Sequence, residues 1–435
     1  MREAFRSQLW PLPTLGIVVA VAAGVALPEL DKSIRHDMPQ RISAFLFSGG
    51  AQAARSVLET IAGSLISVTA LTFSLTVVAL QLASSQFSPR LLRTFSADRY
   101  VQATLTLFLT TFTYALTVLR TVHGGQDEQT EFVPQLSVSM AFLLTLASVL
   151  SLVLFLSHLA RELRVEMMLV AVHREAQRSI DRVLGHHETA DAHAAPPSPP
   201  DGALPVLASR SGFLTGVDEK ALLQAAVDAD AVVLIDRPPG SFLIAGTPCG
   251  YAWRRGDTSL PARGREDFRR CVADAIMTGP ERTDEQDIAF PLRQLTDVAV
   301  KALSPGINDP ATAVHALSYT SALLCALASR RLGPRLLHED EQTLRVILNR
   351  PYLSDLLQLA VSQPLRYGAA EPEILARVSM MMCELAWTAP PGPHSGLSTQ
   401  LERLRATLAA QSFVPEDRHR INRLIRQAEQ AIQPH

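Results

Sequence analysis

Six hydroxyl side chains and one amide interrupt an apolar stretch between residues 64 and 82. A helix turns by about 100° per residue, so their spacing sorts most of them into two nearly opposite faces. Polar side chains on a membrane helix either bond to a neighbouring helix or line a path for water and ions. The first face carries Ser64, Ser67, Ser74 and Gln81, and the second carries Thr69, Thr72 and Thr76.

A later apolar stretch repeats this pattern with a row of threonines, namely Thr106, Thr110, Thr113 and Thr117. Hydroxyl groups in membrane helices also bond to the carbonyl four residues earlier, and they then indicate packing rather than a pore. Gln81 is different, because its amide has more donors and acceptors than its own helix can satisfy. Both interpretations, a pore lining and a helix contact, therefore remain open.

Four apolar segments must position these residues, and each approaches the roughly 20 residues that a bilayer requires. The sequence predicts a transmembrane domain over residues 1–160 with spans at 10–27, 61–82, 101–122 and 132–159. A cleaved signal peptide is the alternative for the first span, since Arg2 and Arg6 precede it. No acid, lysine or arginine interrupts the first two spans, which argues against a proton relay.

The distribution of arginine predicts the orientation of the spans. Arg90 and Arg93 lie between the second and third spans, whereas residues 123–131 contain three acids and no Lys or Arg. We therefore expect a multi-pass protein with both termini in the cytoplasm. Arg90 and Arg93 could also lie on anionic headgroups of the lipid bilayer, at about 1 kcal/mol per charge.

The remainder of the chain is predicted to form a cytoplasmic α+β domain. Residues 161–187 extend the fourth helix, and 188–203 form a Pro-rich linker. A small β-α-β-β unit follows at 204–262, with Asp218 as a helix N-cap, and a helical bundle occupies 263–435. The fold class is thus mainly α. The linker histidines His186, His187 and His193 are typical of a disordered polar loop rather than a metal site.

The segment "SPGINDP" (304–310) lies between two predicted amphipathic helices. Asp309 can cap the second helix, and Pro310 fits its first turn. This pattern favours a rigid corner between two helices. In the alternative interpretation, Asn308 and Asp309 bind a ligand or a neighbouring subunit that is polar or cationic.

Composition and motifs argue against several classes of function. The net charge is −2, so no global field favours nucleic acid. The four cysteines show no C-x-x-C spacing and are expected to be reduced thiols. Signatures of nucleotide-binding, hydrolase and metalloprotease sites are missing from the sequence. We expect neither an enzyme nor a cofactor.

Four motifs resemble a family of predicted bacterial membrane proteins catalogued as a domain of unknown function (DUF2254). They are "SSQFSPRLLR" (84–93), "SGFLTGVD" (211–218), "RPPGSFLIAGTP" (237–248), and "QD" (286–287) leading into "ALSPGINDPATA" (302–313). The resemblance covers nearly the whole chain. It implies a bacterial inner-membrane protein with a cytoplasmic domain, and it implies no activity.

Together these patterns favour an oligomeric ion channel or pore whose cytoplasmic domain gates or assembles it. The second span would then be the centre of the membrane domain. The alternative is a non-conducting scaffold or sensor whose cytoplasmic domain binds a partner or ligand. Expected partners are the bilayer, further copies of the chain, and a small ion or an unknown cytosolic partner.

Overall fold

The computed structural model describes residues 11–34, 47–86, 99–123, 132–162, 165–185, 197–254, 264–340, 343–389 and 395–432. The chain divides into two compact units, Met1–Met167 and Met168–His435.

The first unit contains the four predicted apolar helices, each long and apolar enough to cross a membrane. The second helix is much longer than the predicted span 61–82, since it has 36 residues and would measure about 54 Å at 1.5 Å per residue. The hydrocarbon core measures about 30 Å, so this helix tilts or extends beyond it. The four helices are α1 (Pro11–Ile34), α2 (Ala51–Gln86), α3 (Arg99–Leu119) and α4 (Gln135–Glu162).

The third helix, and not the second, is the centre of this unit. α3 packs against α1, α2 and α4. Half of its most apolar window is buried, against 22% in each of the other three. Its Phe108, Tyr114 and Ala115 form the core with Leu58 of α2. The prediction that the second span is central is therefore wrong, because α2 leaves one whole face uncovered.

The second unit is built around two β-sheets. A five-stranded sheet has the order β1-β5-β3-β8-β7, in which only β3 and β8 pair in parallel. A three-stranded antiparallel sheet has the order β4-β2-β6. The strands are β1 (Leu204–Leu207), β2 (Gly212–Val217), β3 (Ala231–Ile235), β4 (Phe242–Leu243), β5 (Pro248–Arg254), β6 (Ile276–Gly279), β7 (Arg335–His338) and β8 (Leu344–Leu348).

Two expectations for this region are wrong. The chain beyond residue 263 is not entirely helical, since β6, β7 and β8 all lie there. Residues 204–262 also do not form a sheet by themselves, because β8 adds to β3 through the register Val233↔Val346 and Ile235↔Leu348. Short apolar strands such as 344–348 have no period that separates them from helix, and their pairing depends on residues more than 100 positions away.

Two helices, Glu219–Asp228 and Arg265–Ala275, pack on these sheets, and the helices from Ala289 onward pack against one another as a bundle. The helix Pro310–Ala328 is also long and apolar enough to span a bilayer, but half of its most apolar window is buried, and it packs against the helices Ala289–Ala302, Leu353–Tyr367 and Pro372–Thr388. The helices are α5 (Val165–Leu184), α6 (Glu219–Asp228), α7 (Arg265–Ala275), α8 (Ala289–Ala302), α9 (Pro310–Ala328), α10 (Leu353–Tyr367), α11 (Pro372–Thr388), α12 (Ser395–Ala409) and α13 (Pro415–Ile432).

Two predicted helix caps are confirmed. The Asp218 carboxylate accepts hydrogen bonds from Lys220 N and Ala221 N, each at 3.1 Å, at the start of α6. The Asp309 carboxylate accepts one from Thr312 N at 3.0 Å at the start of α9, where Pro310 occupies the first turn. Both signals are local, so the sequence alone identifies them.

Candidate functional site

The serine and glutamine face of α2 is exposed along its length. Ser64, Ser67, Ser74 and Gln81 all lie on the surface of the four helices, and so does Leu71 between them, at 70% exposure. Ser64 and Ser67 each donate a 3.1 Å hydrogen bond to a carbonyl of their own helix. Neither Ser74 nor the Gln81 amide has a hydrogen-bond partner within the described part of the chain.

The threonine face of α2 is buried inside the first unit. Thr69, Thr72 and Thr76 are each at most 9% exposed. Thr69 Oγ1 donates to Leu65 O at 2.6 Å, and Thr76 Oγ1 donates to Thr72 O at 2.8 Å. Both hydroxyls are therefore satisfied within their own helix while their small side chains allow close packing. The two faces of α2 thus have different surroundings.

The threonine row of α3 packs against glycines of α1. A Cβ atom added at Gly16 would lie 2.5 Å from Thr110 Oγ1, and one added at Gly24 would lie 2.7 Å from Thr117 Cβ. Thr106 also faces Gly16, and its hydroxyl donates to Gln102 O at 2.6 Å. These threonines lie in a helix contact, where a glycine on the partner lets the two backbones approach.

The fourth residue of that row, Thr113, is partly buried, and its carbonyl accepts a 2.7 Å hydrogen bond from Thr117 Oγ1. The other side of α3 bonds to α4 through hydroxyl pairs. Thr111 Oγ1 lies 3.2 Å from Ser148 Oγ, and Ser151 Oγ lies 3.1 Å from Thr104 Oγ1. These hydroxyls of α3 therefore serve contacts within the chain, whereas Thr110 Oγ1 and Gln102 Nε2 are buried without a hydrogen-bond partner among the described residues.

One buried carboxylate of the first unit belongs to none of the sequence motifs. Asp31, at the end of α1, is 6% exposed and accepts hydrogen bonds from Leu136 N at 3.2 Å and Ser137 N at 3.1 Å. The Ser137 hydroxyl donates to the same carboxylate at 3.0 Å. Asp31 thus caps the N terminus of α4 from another helix. The sequence signal that could have identified Asp31 is its position four residues after the predicted span 10–27.

In the second unit, the motifs at 237–248 and 286–287 meet at one corner. Gly240 has a φ of +85°, and a Cβ there would lie 1.9 Å from Asp287 Oδ2. That oxygen accepts a 2.9 Å hydrogen bond from Arg282 Nε. Beside it, the Gln286 amide bonds both backbone groups of Val217, at 2.9 Å and 3.1 Å. This corner fastens β2 to the start of α8.

Asp287 is 2% exposed, and burial raises its pKa above the ordinary value although the Arg282 guanidinium acts in the opposite direction. The carboxylate also accepts a 3.1 Å bond from Ala289 N at the first turn of α8. Its partners are all within the corner, so its geometry is that of a structural clamp.

The "SPGINDP" segment forms the turn between α8 and α9. Ile307 N and Asn308 N both donate to Ser304 O, and Asp309 N donates to Ala302 O at 2.8 Å. Asn308 is exposed with a φ of +48°. The Asp309 carboxylate caps α9. The exposed part of the turn is the tip at residues 305–308.

Arg90 and Arg93, predicted at the membrane interface, lie outside the described residues, as do His186, His187 and His193. The structure therefore places none of them.

Comparisons with known proteins agree with the architecture. A family model described as "Predicted membrane protein (DUF2254)" matches residues 6–384. The chain is 33% identical over 401 residues to "Uncharacterized protein Mb1321c" of Mycobacterium bovis and to "Uncharacterized protein Rv1290c" of Mycobacterium tuberculosis. Each alignment covers 92% of this chain and 76% of the relative. No solved structure matches the chain.

Proposed function

Because the chain belongs to the DUF2254 family of predicted membrane proteins, we propose that it is an oligomeric ion channel or pore with a cytoplasmic gating or assembly domain. One observation carries the proposal. The serine and glutamine face of α2 is left uncovered by the other three helices, although the threonine face opposite is buried.

Lipid is a poor neighbour for that face. Hydrocarbon offers no hydrogen bonds, and an amide without a partner there costs several kcal/mol. The Gln81 amide has no partner within the described part of the chain, and water or another protein surface can supply one. The same face of another copy meets this need, and so does a water-filled path.

The geometry suits a path across the bilayer. From Ser64 to Gln81 the face rises about 25 Å at 1.5 Å per residue, which is most of the hydrocarbon thickness. The four described helices of one chain leave this face open, and several copies around a common axis would enclose it. Uncharged hydroxyl and amide groups favour passage of a small ion without strong charge selectivity.

The second unit is the candidate for gating or assembly. α5 begins three residues after the end of α4, and it bonds to the rest of the second unit through Ser179, which donates to Asp284 O, and through Asp181, which pairs with Arg330 at 2.8 Å. A change in that unit therefore has a short covalent route to a membrane helix. The proposal assigns no enzymatic activity to the chain.

A non-conducting scaffold or sensor is the second candidate. The α3 threonines favour it, since they pack against Gly16 and Gly24 instead of lining a path. Under this alternative the exposed face of α2 only packs against another copy, and the second unit binds a partner.

Ion flux through liposomes containing the purified protein separates these candidates. The wild-type protein should pass ions, and Ser74→Leu or Gln81→Leu should reduce the flux by about tenfold because a leucine excludes water from the face. Ser157→Leu is the matched control, because Ser157 is an exposed serine on α4 and should leave the flux unchanged. Tight liposomes containing an assembled oligomer would exclude the channel.

Cross-linking tests the assembly independently of flux. In a chain whose four native cysteines are replaced, Ser67→Cys should form a disulfide between copies in the membrane. Ser157→Cys should not form one. Cross-links from both positions, or from neither, would contradict the assignment of this face to the axis.

We further propose a bacterial inner-membrane location with both termini in the cytoplasm. The support is the bias of arginine towards the loop at 87–98 and the residues that follow α4. A Gly125→Cys variant, in the loop between α3 and α4, should react with an impermeant maleimide in intact spheroplasts. Reaction only after lysis would show that this segment faces the cytoplasm and that the orientation is the opposite of the one proposed.

A further inference from the structure

Two adjoining cavities in the second unit are lined by arginine. The smaller, of about 140 Å³, is lined by Arg331, Arg335 and Arg350 and by no acidic residue. The larger, of about 440 Å³, shares Leu184, Arg335 and Arg350 with it. Its wall adds Arg182, Glu219 and Glu285. Four guanidinium groups thus surround the combined space with two carboxylates.

Glu219 holds two of these arginines in place. Its Oε1 lies 3.1 Å from Arg350 Nη2, and its Oε2 lies 3.0 Å from Arg335 Nε. The Arg350 side chain is only 9% exposed and also donates to Val183 O at 3.3 Å. One carboxylate therefore orients two cations and neutralises one of them, so positive charge remains in a cavity that is partly open to solvent.

The backbone fixes the other side of the site. Gly333 has a φ of +91°, and a Cβ there would lie 2.6 Å from the Tyr352 ring. Its N–H donates to Pro351 O at 3.1 Å. Arg331 and Arg335 extend from this tight turn, and Arg331 forms no ion pair with any residue that the structure describes. The turn places two arginines on the cavity before any ligand arrives.

Clustered guanidinium groups select a particular ligand chemistry. Each presents planar donors that match phosphate oxygens in pairs, and several together suit an anion with more than one charge. A cation would be repelled. The N terminus of α6 adds nothing here, because Asp218 already caps it.

We propose that this cavity binds a small phosphate-bearing anion, held by Arg331, Arg335 and Arg350. Binding there would also reach α5, because Arg182 and Leu184 at the end of that helix line the larger cavity. This site stands independently of the pore, since it rests on residues of the second unit alone.

The test uses the full chain in detergent with inorganic pyrophosphate as the probe, measured by isothermal titration calorimetry in phosphate-free buffer. Wild type should bind, and the Arg331→Gln/Arg335→Gln double variant should lose about tenfold or more in affinity, as expected for lost charge-assisted bonds. If the double variant does not fold, Arg331→Gln alone should show a smaller loss in the same direction.

Arg254→Gln is the matched control. Arg335 and Arg254 are 39% and 45% exposed and each lies 3.2 Å or less from one carboxylate, but Arg254 pairs with Asp230 outside the cavity. Its affinity should stay within about twofold of wild type, because it contributes no donor to the site. Equal losses in this control and the cavity variants would overturn the proposal, and so would a wild type that binds no pyrophosphate at millimolar concentration.

A second arm identifies the source of the phosphate. The titration is repeated in nanodiscs of phosphatidylcholine and in nanodiscs that also contain phosphatidylglycerol. Weaker pyrophosphate binding in the second set would assign the site to a lipid headgroup, and equal binding would assign it to a soluble anion. Either result supports a phosphate site, and binding that is insensitive to the arginine variants in both sets contradicts it.

Discussion

The two units of this protein satisfy their polar groups in different ways. In the first, most buried hydroxyls bond a carbonyl of their own helix, as Thr69 and Thr76 do. In the second, the buried side chains of Arg345 and Arg350 each bond to a carboxylate more than 100 positions away in sequence. Arg345, for example, pairs with Asp230 at 2.8 Å across 115 positions. A buried hydroxyl in the first unit therefore reveals little about its neighbour, whereas a buried arginine in the second unit identifies a contact between distant segments of the fold.

The comparison predicts where substitutions are most damaging. Substitutions that disturb contacts between distant segments in the second unit should cause the largest loss of stability, because a buried charge loses its partner. Substitutions that disturb close helix packing in the first unit should cause an intermediate loss of stability. Local caps should matter least, since they involve a single turn.

The largest effect is expected for Gly240→Ala. The new Cβ would collide with the Asp287 carboxylate, and alanine is strained at a φ of +85°. We expect a loss of about 3 kcal/mol or more in the free energy of unfolding, from steric conflict and a disturbed ion pair. Thermal unfolding of the protein in detergent measures it.

Gly246→Ala is the control for backbone strain. Gly246 has a φ of +79°, but no atom lies within 4 Å of its added Cβ. Its cost should be about 1 kcal/mol, from the left-handed backbone alone. Equal losses at both glycines would mean that the Asp287 corner contributes no more than an ordinary turn.

An intermediate effect is expected for Gly24→Ala in α1, where the new Cβ would lie 2.7 Å from Thr117 Cβ. Overpacking of this kind costs about 1–3 kcal/mol. Gly63→Ala in α2 has no neighbour within 4 Å and should leave the thermal unfolding temperature unchanged or raise it, because alanine favours helix. A Gly24→Ala protein as stable as Gly63→Ala would show that α1 and α3 do not pack closely.

The smallest effect is expected for Asp309→Ala, at about 1 kcal/mol near neutral pH for a lost helix cap. Hydrogen bonds from the Thr312 side chain and backbone lower the pKa of Asp309 below its ordinary value of 3.8. The contribution of the ionised cap is therefore present above pH 3.8 and disappears as the pH falls through the lower folded pKa. The stability difference between wild type and Asp309→Ala should shrink over that range.

Asp309→Asn separates the charge from the cap. An asparagine oxygen still accepts the bond from Thr312 N but does not titrate in this range. Its stability relative to Asp309→Ala should therefore stay constant as the pH falls, when both are followed by thermal unfolding. If the stability difference between Asp309→Asn and Asp309→Ala shrank over the same pH range as the difference between wild type and Asp309→Ala, the titrating group would not be Asp309.

Features that depend on residues close together in the sequence could be predicted. Four apolar segments in the first unit and the caps at Asp218 and Asp309 follow from length, hydropathy and residue type. The helical periodicity also separated the two polar faces of α2. Which face is buried could not be predicted, because hydroxyls that bond their own helix fit lipid, protein and water equally well.

Features that depend on distant segments were missed. Strands β7 and β8 were read as helix, although they extend the sheet that begins at β1. The arginine cavity follows from that pairing, since Arg335 and Arg350 flank these two strands and meet Glu219 only in the folded chain. Five arginines between residues 330 and 350 were a visible signal. Charge density alone, however, does not show which of them converge.

The carboxylate of Asp31 makes one end of α1 and α4 a pivot. Its bonds to Leu136 and Ser137 hold the start of α4 against α1. A rocking of α4 that keeps these bonds moves its other end furthest, since Glu162 lies about 38 Å away at 1.5 Å per residue. Glu162 is followed by α5, so a small tilt of α4 about Asp31 would displace the start of α5 more than any other part of α4.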